Sequence, residues 1–182
     1  MDLSDSTLVE RACSGDRAAF EALVERYADR LHAVVRRLVT CDHEAQEVTQ
    51  EAFLRAWRGL HGFNGEAQFF TWLYRIGINE ANRRLKRNAP AANAQSLDGL
   101  VHEVSDNAPG PAAVAEQGDL RAALEAAVAA LHPDYRTALV LRDIEGLSTV
   151  QTAEIMELSE AAVKSRVHRA RLTVRAAVAT YL

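Results

Sequence analysis

Cysteine is scarce in this sequence. Cys13 and Cys41 are the two among 182 residues, far apart and in no CxxC or Cys/His pattern. That excludes a disulfide framework and a thiolate metal cluster, and points to reduced, structural thiols. Long apolar runs are missing as well. No stretch approaches the roughly 18 apolar residues needed to cross a bilayer. The acidic stretch 1–5 leads into no apolar run, so no secretory leader is expected. The chain therefore reads as a soluble cytoplasmic protein with no membrane insertion. No strand-like alternation stands out anywhere, and neither a P-loop nor a nucleophile–base pairing occurs.

Positive charge in excess is also lacking: the net charge is −4, unusual for a DNA binder. Its distribution is more informative. Residues 1–87 are balanced, residues 88–120 hold five acids with no Lys or Arg, and residues 121–182 carry net +1. The negative charge sits in the middle, and the flanks remain able to present basic faces.

What the flanks do contain is helical periodicity. Phe20, Leu23, Val24, Tyr27, Leu31, Val34, Val35 and Leu38 recur at three- and four-residue steps, one apolar helix face with Asp16 as N-cap. A second helix is predicted over 42–57, with Ala45, Val48, Ala52, Phe53, Ala56 and Trp57 inward, and a third over 67–85. Residues 88–118 hold three of the four prolines and little periodicity, the mark of a flexible acidic linker; Leu97, Leu100, Val101 and Val104 are its candidate anchors. Leu120, Leu124, Val128 and Leu131 then define another amphipathic helix. Pro133 opens the next, which carries Tyr135, Leu139, Val140 and Ile144 and ends at Gly146. The fold class is all-α: an N-terminal helical domain (1–87), the linker (88–118), and a C-terminal domain (119–182).

Residues 146–175 carry the clearest motif. Ser148 with Gln151 forms a capping box ahead of a short helix that packs through Ala153, Ile155 and Met156. A turn follows at Glu157-Leu158. Ser159 caps a second helix whose inner face is Ala162, Val163, Val167 and Ala170. This is a helix-turn-helix. Lys164, Arg166, Arg169, Arg171 and Arg175 fall on exposed positions of the second helix, and its one acid, Glu160, lies in the first turn, where the dipole favours it. Such a helix suits the major groove, with cations for guanine edges and phosphates.

The run GLSTVQTAEIMELSEAAVKSRVHRARLTVR resembles the C-terminal promoter-reading domain of extracytoplasmic-function sigma factors of the sigma-70 family. The resemblance implies that this domain reads the −35 element, with Lys164, Ser165, His168 and Arg169 toward bases and Arg166 and Arg171 toward the backbone. Two positions depart from the pattern. Thr152 replaces an apolar residue, and Glu157 replaces a turn glycine, at a cost of about 1 kcal/mol in a left-handed conformation.

Seven of the eleven aromatics lie between positions 53 and 74 (Phe53, Trp57, Phe63, Phe69, Phe70, Trp72 and Tyr74), and Arg75, Arg83, Arg84, Lys86 and Arg87 follow. Rings beside cations suit single-stranded DNA, although Phe53, Phe69 and Trp72 are expected mainly in the core. The run FNGEAQFFTWLYRIGINEANRRLKR is similar to the same family's promoter-melting and −10-reading segment. The resemblance implies a flipped non-template base near Phe63, Asn64 and Asn79, with Arg83, Arg84 and Arg87 on the backbone. HEAQEVTQEAFLRAW (43–57) is similar to the family's polymerase-docking helix, which assigns Glu47, Gln50 and Glu51 to a β′ coiled coil; the β flap is the second docking point the family implies. His43-Glu44 followed by Glu47 has half of the H-E-x-x-H metal pattern, but the second histidine is absent, so no metal, cofactor or enzymatic activity is expected.

Taken together, the resemblance implies a sigma factor. Its partners would be core RNA polymerase and promoter DNA, as duplex and as single strand, with an anti-sigma protein acting in trans and a nucleoid location when polymerase-bound. A ligand-responsive helix-turn-helix regulator would explain residues 146–175 equally well. It would leave the aromatic cluster and the acidic helix unexplained, and it would bind duplex DNA alone.

Overall fold

A computed structural model describes residues 3–39, 41–65, 67–88 and 116–181. Helix α1 (Asp5–Cys13) opens the chain, with the Ser4 hydroxyl accepting from the Thr7 amide. It is a separate element that the periodicity from Phe20 onward did not announce. Gly15, at φ +93°, breaks the chain direction. Asp16 then caps α2 (Arg17–Leu38), its carboxylate accepting from the Ala19 amide at 3.2 Å. The Arg11 guanidinium, 2.6 Å away, and that amide hold the Asp16 carboxyl below its usual pKa.

α3 (Asp42–Gly59) and α4 (Phe69–Asn88) complete the N-terminal bundle, joined by a short 3-10 turn, Leu60–Gly62. Leu23, Leu31, Val34, Val35, Val48, Leu60, Leu73 and Ile78 are fully buried between them. The α2–α4 crossing is close: a Cβ built on Gly77 would lie 2.9 Å from Leu31 Cδ1. Trp57 differs from the sequence reading. It is exposed, with its ring laid against Phe20 at a centroid distance of 4.9 Å.

The C-terminal part comprises α5 (Glu116–Ala130), α6 (Pro133–Leu139), α7 (Thr149–Met156) and α8 (Glu160–Val178). The single helix expected from Pro133 to Gly146 is instead α6 followed by a π-helical turn, Val140–Ile144. The Glu145 amide reaches the Val140 carbonyl at 2.9 Å. Leu124, read as inward, is exposed, because α5 packs on α8 through a narrower stripe that includes Ala127 and Val128. Helices account for all the regular structure, and no strand occurs among the described residues. The acidic linker and its apolar anchors, between 89 and 115, lie outside the described residues.

The two helical parts share a seam. Val140, Leu141, Leu147 and Ile155 belong to the same buried cluster as the α2–α4 core. Arg30 and Arg37 face the Glu145 carboxylate at 3.4 and 4.0 Å, and Arg75 faces Glu157 at 3.5 Å. Arg136 donates to the Leu38 carbonyl at 2.9 Å and to Leu131 O at 3.1 Å, with a further contact to Ala129 O. One guanidinium thus serves carbonyls at the C-terminal ends of α2 and α5, where the helix dipoles favour a cation.

Candidate nucleic-acid interface

The helix-turn-helix begins with the capping box at Ser148. The Gln151 amide donates to Ser148 Oγ at 3.1 Å, and the Ser148 amide donates to Gln151 Oε1 at 2.9 Å. Thr152 is fully buried, yet its hydroxyl is satisfied by donating to Ser148 O at 2.9 Å, which explains how threonine fills an apolar position. Glu157 caps α7 in the left-handed region (φ 56°, ψ 45°), and the Leu158 amide returns to Ala153 O at 3.0 Å. Ser159 then caps α8, accepting from the Ala162 amide at 3.2 Å.

Glu157→Gly is expected to raise the melting temperature. It relieves about 1 kcal/mol of left-handed strain and removes only an ion pair to Arg75 between exposed side chains, worth about 0–1 kcal/mol. A lower melting temperature would mean that the pair outweighs the strain.

Along α8, Val163, Val167 and Ala170 are buried, whereas Lys164, Ser165, His168, Arg169 and Arg171 are exposed. Internal partners sort the arginines. Arg166 is half-buried and lies 3.5 Å from Asp134. Arg171 forks onto Asp143 through Nε and Nη2 at 2.7 and 2.6 Å, a bond that raises its pKa further. Arg169 has a neutral partner instead: its Nη1 donates to the Tyr135 hydroxyl at 3.3 Å. Sequence reasoning missed Asp134, Tyr135 and Asp143, which reach α8 from α6 and the π turn.

In the N-terminal part, Phe63 packs on Phe69 and Trp72 with centroid distances of 6.1 and 5.1 Å. Phe69 is buried, Phe63 and Trp72 are half-buried, and Asn64 is exposed. Asn79 is exposed on α4, seven residues beyond Trp72. That spacing puts both on one helix face, about 10 Å apart along the axis. Of the three arginines read as backbone contacts, Arg87 is exposed without an ion pair among the described residues. Arg83 donates to the buried Glu80 at 2.6 Å, and Glu80 also draws Arg55 at 3.3 Å. Arg84 pairs with Glu47.

Two residues read as belonging to different surfaces, Glu47 and Arg84, are therefore brought together. Glu47 also lies 3.3 Å from His43 Nε2. Gln50 is exposed, and Glu51 accepts from Arg55 at 2.8 Å. Leu54 and Trp57 are exposed on the same helix, which gives α3 an apolar edge beside its acidic positions. Cys13 is half-buried, its thiol donating to Leu60 O at 3.4 Å, and Cys41 is exposed. No group of three His, Cys, Asp or Glu side chains that could hold a metal occurs among the described residues, and none of the described helices is long and apolar enough to cross a membrane.

Comparison with known proteins bears on both halves. Residues 23–90 match the Sigma-70 region 2 family, and residues 121–174 match the Sigma-70, region 4 family. The chain is 40% identical over 174 residues to the RNA polymerase sigma-H factor of Pseudomonas aeruginosa, covering 92% of this chain and 90% of that protein. It is 35% identical over 179 residues to the ECF RNA polymerase sigma-E factor of Escherichia coli K12, covering 93% and 91%. Among solved structures, CnrH in complex with the cytosolic domain of CnrY superposes with a TM-score of 0.72 at 28% identity over 97% of each chain. The Bartonella quintana sigma factor RpoE, in complex with the anti-sigma factor NepR, shares the fold with a TM-score of 0.63 at 24% identity, covering 87% of this chain and 96% of that one.

Proposed function

The chain belongs to the extracytoplasmic-function group of sigma-70 type sigma factors, which direct transcription initiation, and from that premise we propose how its two halves divide the work. The C-terminal half (119–182) reads the −35 element as duplex through α8. The N-terminal half (1–87) docks on core polymerase and captures the melted −10 strand. The observation that carries the first assignment is the doubly capped helix-turn-helix whose second helix exposes Lys164, Ser165, His168 and Arg169 on one side. Arg166 and Arg171 flank them, and a phosphate reaching either shares its guanidinium with Asp134 or Asp143.

On the N-terminal half, one non-template base flips into a pocket near Phe63, Asn64 and Asn79. The Phe63 and Trp72 rings offer it a stacking surface, and Asn79 an amide that can read its edge. Asn64 lies beside the rings, and Arg83, Arg84 and Arg87 follow Asn79 along the backbone path. Docking uses α3, through Gln50, Glu47, Glu51 and the exposed Leu54 and Trp57, toward the polymerase β′ coiled coil, while the C-terminal half meets the β flap. A protein inhibitor acting in trans would hold the factor inactive; the similarity to CnrH, solved in complex with the cytosolic domain of CnrY, supports a protein partner. The protein makes or breaks no covalent bond in this scheme, and polymerase supplies the chemistry.

The test is co-elution of the purified chain with bacterial core RNA polymerase, followed by transcription from a mixed genomic template. Specific start sites sharing two upstream elements are expected. Duplex binding by the chain alone, with no association with core, would overturn the reading in favour of a conventional regulator. Within this scheme Arg169→Ala should lose about 1–3 kcal/mol of discrimination at one −35 base pair, read from transcription of promoters varied at that position.

A further inference from the structure

Tyr135 is not part of the helix-turn-helix, yet its hydroxyl is the one side-chain partner that Arg169 has among the described residues. We propose that Tyr135 is a positioning residue for promoter specificity: it holds Arg169 so that the Nε–Nη2 edge of the guanidinium is presented to a guanine. This rests on the reading of α8 as the −35 helix.

Three observations lead there. The first is which atom is engaged. Tyr135 takes Nη1, which leaves Nε–H and Nη2–H, the parallel pair that can fork onto guanine O6 and N7. In Arg171 the corresponding edge is already spent on the Asp143 carboxylate. The second is charge. Asp134 and Asp143 set a full negative charge against Arg166 and Arg171, and a guanine must compete with it. A phenol hydroxyl orients Arg169 without neutralising it, so the guanidinium keeps its charge for DNA. The third is rigidity. The Tyr135 ring packs beside Val128 and Val174 on the small cluster of Leu131, Leu139 and Ala170, and meets His132 edge-on at 5.9 Å. Ring and anchor are fixed by packing before DNA arrives. A long arginine side chain tethered in this way loses less rotamer freedom on binding than an untethered one.

The test uses the full chain assembled with core polymerase and a promoter library randomised through the −35 element. Wild type, Tyr135→Phe, Arg169→Ala and the double variant are compared by the sequences of their transcripts. Arg169→Ala should flatten preference at one base pair by about 5- to 100-fold. Tyr135→Phe, which keeps the ring and its packing, should weaken preference at that same base pair by about 3- to 10-fold. Preferences elsewhere, co-elution with core and melting temperature should be unchanged, and the double variant should behave like Arg169→Ala alone. If Tyr135→Phe leaves preference at that base pair intact, or weakens every position equally, the residue only packs and the proposal fails. If Arg169→Ala flattens no position, Arg169 reads no base, and the proposal falls together with that part of the −35 assignment.

Discussion

Leu31→Ala should cost about 2–5 kcal/mol of stability, because the side chain is fully buried where α2 crosses α4 and the space it leaves is closed on every side. The informative measurement pairs it with Gly77→Ala in a double-mutant cycle. In the wild type, a Cβ at position 77 meets Leu31 Cδ1 at 2.9 Å. Leu31 is fully buried, so overpacking of about 1–3 kcal/mol is expected to outweigh the roughly 1 kcal/mol that alanine brings to a helix interior. With Leu31 cut back to alanine the obstruction is gone, and Gly77→Ala becomes stabilising. Denaturant unfolding of the four proteins should therefore show a change of sign. The same effect of Gly77→Ala in both backgrounds would mean that the α2–α4 approach is not limited by this pair.

Asn79→Ala should reduce open-complex formation on the order of 10- to 100-fold, while leaving core binding and stability nearly unchanged. The side chain is exposed on α4, so its removal opens no cavity, and alanine is the better helix former. What is lost is an amide able to donate to and accept from a base edge. The energy needed to unstack a base, a few kcal/mol, then goes partly unrecovered. Permanganate reactivity of promoter thymines separates melting from binding, and co-elution with core reports docking. A variant that melts promoters as the wild type does would remove Asn79 from the site.

Features that depend on a few neighbouring residues were legible in the sequence. Asp16, Ser148 with Gln151, and Ser159 cap the helices they were expected to cap. Gly146 turns at positive φ and Glu157 takes the left-handed position a glycine would favour. Each rests on contacts within six residues, and polar side chains at such spacings have few other partners. Apolar periodicity located the helix faces but not how wide a face its partner covers, so Trp57 and Leu124 were placed inward and proved exposed. The widened turn after Leu139 carries no proline or glycine to announce it before Gly146. It arises where Val140 and Leu141 are both drawn into the shared core.

By itself, then, the sequence determined the helical class, the caps, the helix-turn-helix and the family, since these follow from short-range spacing and motif order. The tertiary structure alone decided which charged groups pair across distant parts of the chain. Arg84 meets Glu47 across 37 residues, Arg169 meets Tyr135 across 34, Arg171 meets Asp143 across 28, and Arg30 meets Glu145 across 115. On a sequence, every arginine of α8 has the same charge and the same reach. Which of them remains available to DNA depends on whether folding sets a carboxylate or a hydroxyl beside it, and no local pattern encodes that.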